Sequence, residues 1–490
     1  MLQFADDVAI YVPGSDIQHS LSLLETTSKK LSDHLKSKGL IIAPEKCQLI
    51  IFNKTCRKLK LRSLNIDGKT IFPSDTVTFL GITLDKRLTW QSHINQKISK
   101  AHSAVCILSC LRRTWWGADP STMLILYKSL VRSKLEYCGF LIQPCTPNNF
   151  DKLQKLQNVC LRIAMGYRNS TPLNVISTET KVPSFFCRFK ILSFKFILKQ
   201  MSTYNNHIIE QLEALKEISE TLLYESNHCK PMILESYNEC WFFNLSIYRS
   251  AINHNYCNPF FFAFTAPSVD LSSGKIIRNS ENPSESFKSL YISNVHEQVI
   301  DIYTDGSRLD SNEENENGFK SRCGFAAWSD SDSFQVSYRI HDLASIFTAE
   351  SSAINTVLDK ILNHDGTQYR IFTDSESVLK ALSSAASLKT KSFLISNMKS
   401  KLYNINQQNK KVEFIWVPSH VDISGNELAD SAAKTVTESG TPEQIDIPNT
   451  DIFSYLKQKS LQEDASTDID TSQSTGSYFF KNYFKPKSQP

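Results

Sequence analysis

Four acidic residues in the second half of the chain each lie at the end of a predicted strand or near the start of a predicted helix. They are Asp305, Glu350, Asp374 and Asp430. Apolar runs alternate with amphipathic segments in this region, with strands predicted at 299–305, 323–328, 334–340, 369–373 and 412–417 and helices at 345–362 and from 426. This order predicts an α/β fold, in which a five-stranded mixed sheet is flanked by helices.

The predicted strands determine where the acids meet. If the strands that end at Asp305 and Asp374 are parallel neighbours, both carboxylates lie at carboxyl ends, where open α/β sheets bind their ligands. Either Ser345 or Thr348 could cap the helix that follows, and either choice places Glu350 near its first turn. Asp430 lies near the start of the last predicted helix.

Carboxylates that are crowded together repel one another and take up protons unless cations compensate their charge. Two divalent cations about 3.5 to 4 Å apart can activate a water and stabilise the leaving oxygen of a phosphodiester. We therefore expect two Mg²⁺ ions, with Mn²⁺ as an alternative. A single Thr-Asp-Gly or Thr-Asp-Ser tripeptide is more simply interpreted as a solvated turn, so the prediction depends on all four acids together.

The strings around the acids resemble the ribonuclease H family over residues 297–437. The strings are Tyr303-Thr304-Asp305-Gly306-Ser307, Thr348-Ala349-Glu350, Phe372-Thr373-Asp374-Ser375 and Asn426-Glu427-Leu428-Ala429-Asp430. The resemblance implies a ribonuclease H-like fold and a metal-dependent endonuclease that cleaves the RNA strand of RNA/DNA hybrids. It also implies that the four acids are both the metal ligands and catalytic residues.

The resemblance extends to a histidine loop, residues 418–427, with His420 as a further catalytic residue. A histidine in this family loop is thought to assist proton transfer or product release, and imidazole chemistry suits that task. A lone loop histidine without function is the simpler alternative. The chain departs from the family pattern at Asp422, where a glycine is common.

Contacts to the nucleic acid are expected close to the acids. The backbone amide near Gly306 and the hydroxyls of Ser307 and Ser375 are the candidates for binding the strand and its 2′-OH groups.

The start of the chain carries a second resemblance. Phe4-Ala5-Asp6-Asp7, a strand bearing Lys46, and Phe79-Leu80-Gly81-Ile82 resemble successive segments of a reverse-transcriptase palm. Together with the ribonuclease H strings, they resemble the polyprotein of a jockey-like non-LTR retrotransposon. The third polymerase carboxylate and the fingers would precede Phe4, so we expect Asp6, Asp7 and Lys46 to be relics of a truncated polymerase.

The two resemblances imply a partial palm at 1–91, a helical thumb and connection at 92–264 and the ribonuclease H domain at 297–437. Composition predicts a linker at 265–296 and a largely disordered tail at 438–490. Residues 51–200 hold 24 basic and 7 acidic side chains, which favours a nucleic-acid backbone. Aromatic residues among these charges could stack on bases, but helical spacing favours a core position. They include Trp115, Trp116, Tyr127, Tyr137 and Tyr167.

Two other functions stay open at this point. The chain could be a non-catalytic nucleic-acid-binding remnant of the element, or a working reverse transcriptase if an upstream exon supplies the missing parts.

The 12 cysteines form no Cys-x-x-Cys pair, and no apolar run approaches the length of a spanning helix. We expect a soluble intracellular protein of the nucleus or cytoplasm whose partner is an RNA/DNA hybrid and not a membrane.

Overall fold

A computed structural model describes residues 2–53, 63–112, 117–143, 145–203, 206–220, 231–241, 247, 267–292, 299–311, 313–314, 318–384, 392–443 and 445–484. Trp115 and Trp116 lie outside these residues. The chain divides into two compact units, residues 1–190 with 462–490 and residues 191–461. Over the described ranges, no helix combines the length and the apolar character that a membrane span requires.

The first unit begins with three antiparallel hairpins and a long helix. The strands pair as β1 (Leu2–Phe4) with β2 (Asp7–Ala9), β3 (Leu64–Ile66) with β4 (Lys69–Ile71), and β5 (Thr76–Phe79) with β6 (Ile82–Asp85). Helix Ile17–Ser37 begins after Asp16, whose side chain accepts a hydrogen bond from the Gln18 amide.

The lysine segment differs from its prediction, because Lys46 lies in a turn and not on a strand. The amide of Lys46 donates to the Ala43 carbonyl at 3.0 Å and the amide of Cys47 to that of Pro44 at 3.3 Å. These local bonds fold the backbone on itself, and Pro44 has no amide proton for a strand ladder.

The rest of the first unit is mainly helical. Its elements are helices Gln91–Leu111, Pro120–Leu126, Ser133–Glu136, Pro147–Met165 and Leu173–Thr180, a π turn at Tyr127–Arg132 and a 3-10 turn at Gly139–Leu141. Two of the aromatic residues named above differ in burial. Tyr127 is fully buried and its hydroxyl donates to Gln157 Oε1 at 2.7 Å, so it belongs to the core, whereas Tyr137 is 52% exposed.

The second unit is built around a six-stranded mixed sheet. Its strands are β7 (Ser268–Asp270), β8 (Val299–Asp310), β9 (Ser321–Trp328), β10 (Val336–Ile340), β11 (Gln368–Thr373) and β12 (Lys411–Trp416). Their order is β10-β9-β8-β11-β12-β7, and β8, β11, β12 and β7 run parallel. The predicted five-stranded mixed sheet is confirmed, and β7 adds a sixth strand.

Helices cover the sheet and bury its apolar residues. Those of the sheet region are Ile346–Asn363, Glu376–Ser383, Phe393–Gln407 and Ser424–Ser439, with a 3-10 turn at Asp332–Phe334. Helices Phe185–Met201, His207–Glu220 and Met232–Trp241 precede the sheet. One core cluster joins Ile302 and Phe414 of the strands to Ile354, Val357 and Met398 of the helices. Burial of these side chains is the main source of stability.

The segment predicted as a linker, 265–296, is folded where the structure describes it. It contains β7, helices Ser272–Asn279 and Pro283–Phe287, and a π turn at Lys288–Ile292. Its Asn and Pro residues start a helix, since the side chain of Asn282 accepts from the Glu285 amide and Pro283 is the first helical residue. The composition that indicates a linker serves here to start a short helix.

The prediction of a largely disordered tail at 438–490 is also wrong for the described residues. Helices Asn449–Thr471 and Ser477–Asn482 occupy most of it. In the second unit, Ile447, Ile452 and Leu456 are buried in a cluster with Ala349 and Ala353. Ile452 and Leu456, four residues apart on one helix face, and Ile447 just before the helix therefore dock this segment on the core.

Asp451 of this tail helix caps the helix that carries Glu350. Its Oδ2 accepts from the Ser345 amide at 2.9 Å and from the Thr348 hydroxyl at 2.6 Å.

Asp451→Ala removes both bonds and a favourable charge at a helix N-terminus, so it should lower the free energy of unfolding by about 1 to 2 kcal/mol. Thermal unfolding of the full chain measures this. Asp470→Ala, at an exposed position near the end of the same helix, is the control, and equal melting temperatures for the two variants would contradict the assignment.

Candidate metal centre

Asp305 and Asp374 meet where one parallel ladder ends. The last pair of the parallel ladder between β8 and β11 is Thr304 with Thr373. Asp305 and Asp374 are the next residues, so they lie side by side where this ladder ends. Asp374 ends β11 as predicted, and its carbonyl accepts from Trp416 Nε1 at 3.0 Å. The prediction that the first strand ends at Asp305 is wrong, because antiparallel pairing with β9 carries β8 on to Asp310.

Glu350 is brought to β8 by a close approach between a helix and a strand. Ser345 is the N-cap of helix Ile346–Asn363, and its side chain accepts from the Thr348 amide. At Gly306 a Cβ atom would lie 2.8 Å from the Glu350 nitrogen. A glycine is therefore required at this position for the first turns of the helix to lie against the strand.

Asp305, Glu350 and Asp374 form the first acidic group of the site. One carboxylate oxygen from each lies within 4.8 Å of the others. Asp305 and Glu350 are buried and Asp374 is half-buried. The Oε2 atom of Glu350 is buried and has no hydrogen-bond partner among the described residues.

The protonation of these acids reflects burial and mutual repulsion. Burial raises the pKa of Asp305 to about 8, and the charges of Asp374 and Asp430 act in the same direction. Burial also raises the pKa of Glu350 well above its ordinary value, with added effects from Asp305 and Asp374. The pKa of Asp374 is raised by burial and by Asp430, whereas His420 opposes the rise. Without a cation, the site therefore holds protons that exposed carboxylates would release.

Asp430 belongs to a second group, together with His420 and Glu427. One ligand atom from each of these side chains lies within 4.8 Å of the others. Asp430 is carried by helix Ser424–Ser439 and also forms an ion pair with Lys434, whose Nζ lies 2.6 Å from its Oδ2. Asp430 links the two groups, since a hydrogen bond with Asp305 contributes to the raised pKa of Asp305.

Glu427 is a residue of this site that the sequence motifs do not single out. It precedes Asp430 by three positions, and residues three apart share one helix face. That spacing is the signal that identifies it.

The histidine loop has an unusual backbone. His420 and Asp422 have φ angles of 55° and 57°, in the left-handed region. Glycine adopts this region without cost, which explains physically why glycine is common at the position of Asp422 in the family. Aspartate tolerates the region better than most residues, so the substitution is compatible with this loop.

The predicted nucleic-acid contacts differ in their exposure. Ser375 is half-buried, and its hydroxyl lies 3.3 Å from that of Ser377. Ser307 is only 7% exposed, so it offers little surface to a strand. The amide of Gly306 donates to the acidic group, where it lowers the pKa of both Asp305 and Glu350.

The predicted relic residues lie in the first unit. Asp6 and Asp7 are exposed at the β1–β2 turn, where Ala5 has a φ of 52°. Lys46 is exposed in its own turn. Within the described ranges, the groups of three acids or histidines close enough to share a cation are the two groups in the second unit.

The residues of the site fit a divalent cation. Carboxylate oxygens are the ligands that Mg²⁺ and Mn²⁺ prefer. A cation would give Glu350 Oε2 the partner that it lacks among the described residues and would offset the repulsion among the acids. Asp305, Glu350, Asp374 and Asp430 can therefore hold such ions.

The second half of the chain is similar to a known protein family. Residues 297–438 match the family model of RNase H. The chain is 22% identical over 209 residues to the RNA-directed DNA polymerase from mobile element jockey of Drosophila melanogaster. That match covers 43% of this chain and 22% of the relative, so the chain spans about a fifth of that protein.

Two solved structures are also similar. A foamy viral protease-reverse transcriptase in complex with dsDNA is 21% identical with a TM-score of 0.23, and the match covers 29% of this chain and 95% of that one. The N-terminal RNase H domain of a Mycobacterium tuberculosis protein, fused to maltose binding protein, is 16% identical with a TM-score of 0.21, covering 29% and 99%. On the family match, residues 297–438 form an RNase H domain, and the chain is similar to part of a polyprotein of the jockey-like non-LTR retrotransposon kind.

Proposed function

We propose that this domain is an active, metal-dependent endonuclease that cleaves the RNA strand of RNA/DNA hybrids. The observation that carries the proposal is the convergence of three acids within 4.8 Å, one of which has a buried oxygen without a described partner. A structural role alone does not account for such an arrangement, because burying carboxylates together lowers the free energy of unfolding. A site for cations does account for it.

Asp305, Glu350, Asp374 and Asp430 would hold two Mg²⁺ ions, or Mn²⁺ in their place. When bound, such ions supply an activated water and stabilise the leaving oxygen of a phosphodiester. The contribution of the chain is to fix the four carboxylates before substrate binds. β8 and two helices each supply one acid and Asp374 directly follows β11, so rigid elements hold the site.

His420 would transfer a proton during the reaction or assist product release. It is exposed, so it can exchange protons with solvent, and its positive charge would lie close to Asp374. Ser375, which follows Asp374, would donate a hydrogen bond to the nucleic acid. The amide of Gly306 instead helps to organise the acids.

The full chain should cleave the RNA strand of a labelled RNA/DNA hybrid in the presence of Mg²⁺. Asp374→Asn keeps the shape of the side chain but removes its charge, so cleavage should fall by about a thousandfold, equivalent to about 4 kcal/mol of transition-state stabilisation. Chelation of the metal should abolish cleavage.

Asp365→Asn is the matched control for this assay, because Asp365 is an exposed aspartate outside the site. It should cleave at the rate of the unmodified chain. A folded full chain that binds the hybrid without cutting it would reject the proposal in favour of a binding remnant.

The metal-free chain should become less stable as the pH rises. The folded state keeps a proton on Asp305 that the unfolded state releases above a pH of about 4. The contribution of Asp305 to the free energy of unfolding is therefore highest below that pH and declines until the pH passes about 8, where the folded carboxyl ionises. Asp305→Asn should remove part of this decline, on the order of 1 to 3 kcal/mol. Melting temperatures in chelator, measured across this range, test it, and a variant as pH-sensitive as the unmodified chain would refute the assignment.

A further inference from the structure

Residues 268–292 precede the family-matched domain but are built onto its sheet. β7 pairs in parallel with β12, with Ser268, Val269 and Asp270 opposite Glu413, Phe414 and Ile415. The following helix lies so close to the sheet that a Cβ atom on Gly274 would be 2.2 Å from the Trp416 carbonyl oxygen. The segment is therefore fitted to the end of β12, where the histidine loop begins.

Apolar packing continues from this segment to both sides of the histidine loop. Ile277 and Phe287 are buried in one cluster with Val417 and Ile423. Val417 precedes the loop and Ile423 follows its exposed part. The partly buried Val421 packs against the same cluster. The loop is thus anchored at each end on side chains that the segment supplies.

A hydrogen bond joins the segment to the loop itself. Ser284 Oγ donates to the Asp422 carbonyl oxygen at 3.0 Å. Asp422 is one of the two residues of this loop with a left-handed backbone, a conformation that costs energy for residues other than glycine. Such a conformation persists only where neighbouring groups hold it.

We propose that Ser284, in the segment 268–292, is a positioning residue for His420 of the nuclease. This inference rests on the proposed function, since it assumes that His420 assists the reaction. His420 is exposed, so its location depends on the loop backbone more than on packing of its own ring. The bond from Ser284 fixes that backbone two residues away, at the position where the chain has aspartate in place of the common glycine.

The test compares Ser284→Ala with Ser284→Thr in the full chain. The alanine variant loses the hydroxyl, so amide hydrogen exchange at residues 419–423 should become about fivefold faster. With the hybrid as substrate, kcat should fall about three- to tenfold while KM stays unchanged. The threonine variant keeps a hydroxyl donor, so its loop exchange rate and its kcat should equal those of the unmodified chain.

Ser289→Ala is the matched control, because the Ser289 hydroxyl donates to Ser286 within its own segment. It should leave loop exchange and kcat unchanged. If Ser284→Ala changes neither quantity, or changes exchange without changing kcat, the positioning role is overturned. If the unmodified chain does not cut the hybrid, the proposed function fails, and the exchange comparison alone then decides whether Ser284 holds the loop.

Discussion

The crowding of carboxylates at the end of the β8–β11 ladder is the constraint on which the rest of the site depends. Asp305, Glu350 and Asp374 are close enough to share one ion, and burial and mutual repulsion raise the pKa of each. Because bringing these carboxylates together is unfavourable, rigid elements must hold them in place. The sheet does this for the two aspartates, because the ladder that ends at Thr304 and Thr373 fixes their separation. Gly306 fixes the position of Glu350, because a glycine has no side chain and the helix that carries Glu350 can approach the strand.

Two segments outside the family-matched residues support the same site. Asp451 accepts two hydrogen bonds at the start of the helix that carries Glu350. Ser284 and Phe287 lie against the histidine loop and its flanks. Each segment contacts a part of the site that a helix or a loop carries, and not a strand. We infer that the functional unit extends beyond residues 297–438 on both sides.

Local patterns are sufficient to predict five strands of the sheet and the helix that carries Glu350, because these elements have a clear period. The apolar run before Asp374 and the capping serine before Glu350 are signals of this kind. Non-local contacts explain the errors. The extension of β8 to Asp310 depends on pairing with β9, and the order of the tail depends on burial of Ile452 and Leu456. β7 has three residues, too few to show a period, so its pairing with β12 could not be predicted.

The most direct test of this account is to measure the protons released when the metal-free full chain binds Mg²⁺ or Mn²⁺. Titration calorimetry near pH 7, repeated in buffers that differ in ionisation enthalpy, gives that number. Because the pKa of Asp305 is raised to about 8, the account predicts cation binding with release of protons, and a smaller release for Asp305→Asn. Absence of binding, or binding that releases no protons from the unmodified chain, would contradict the claim that cations compensate these carboxylates.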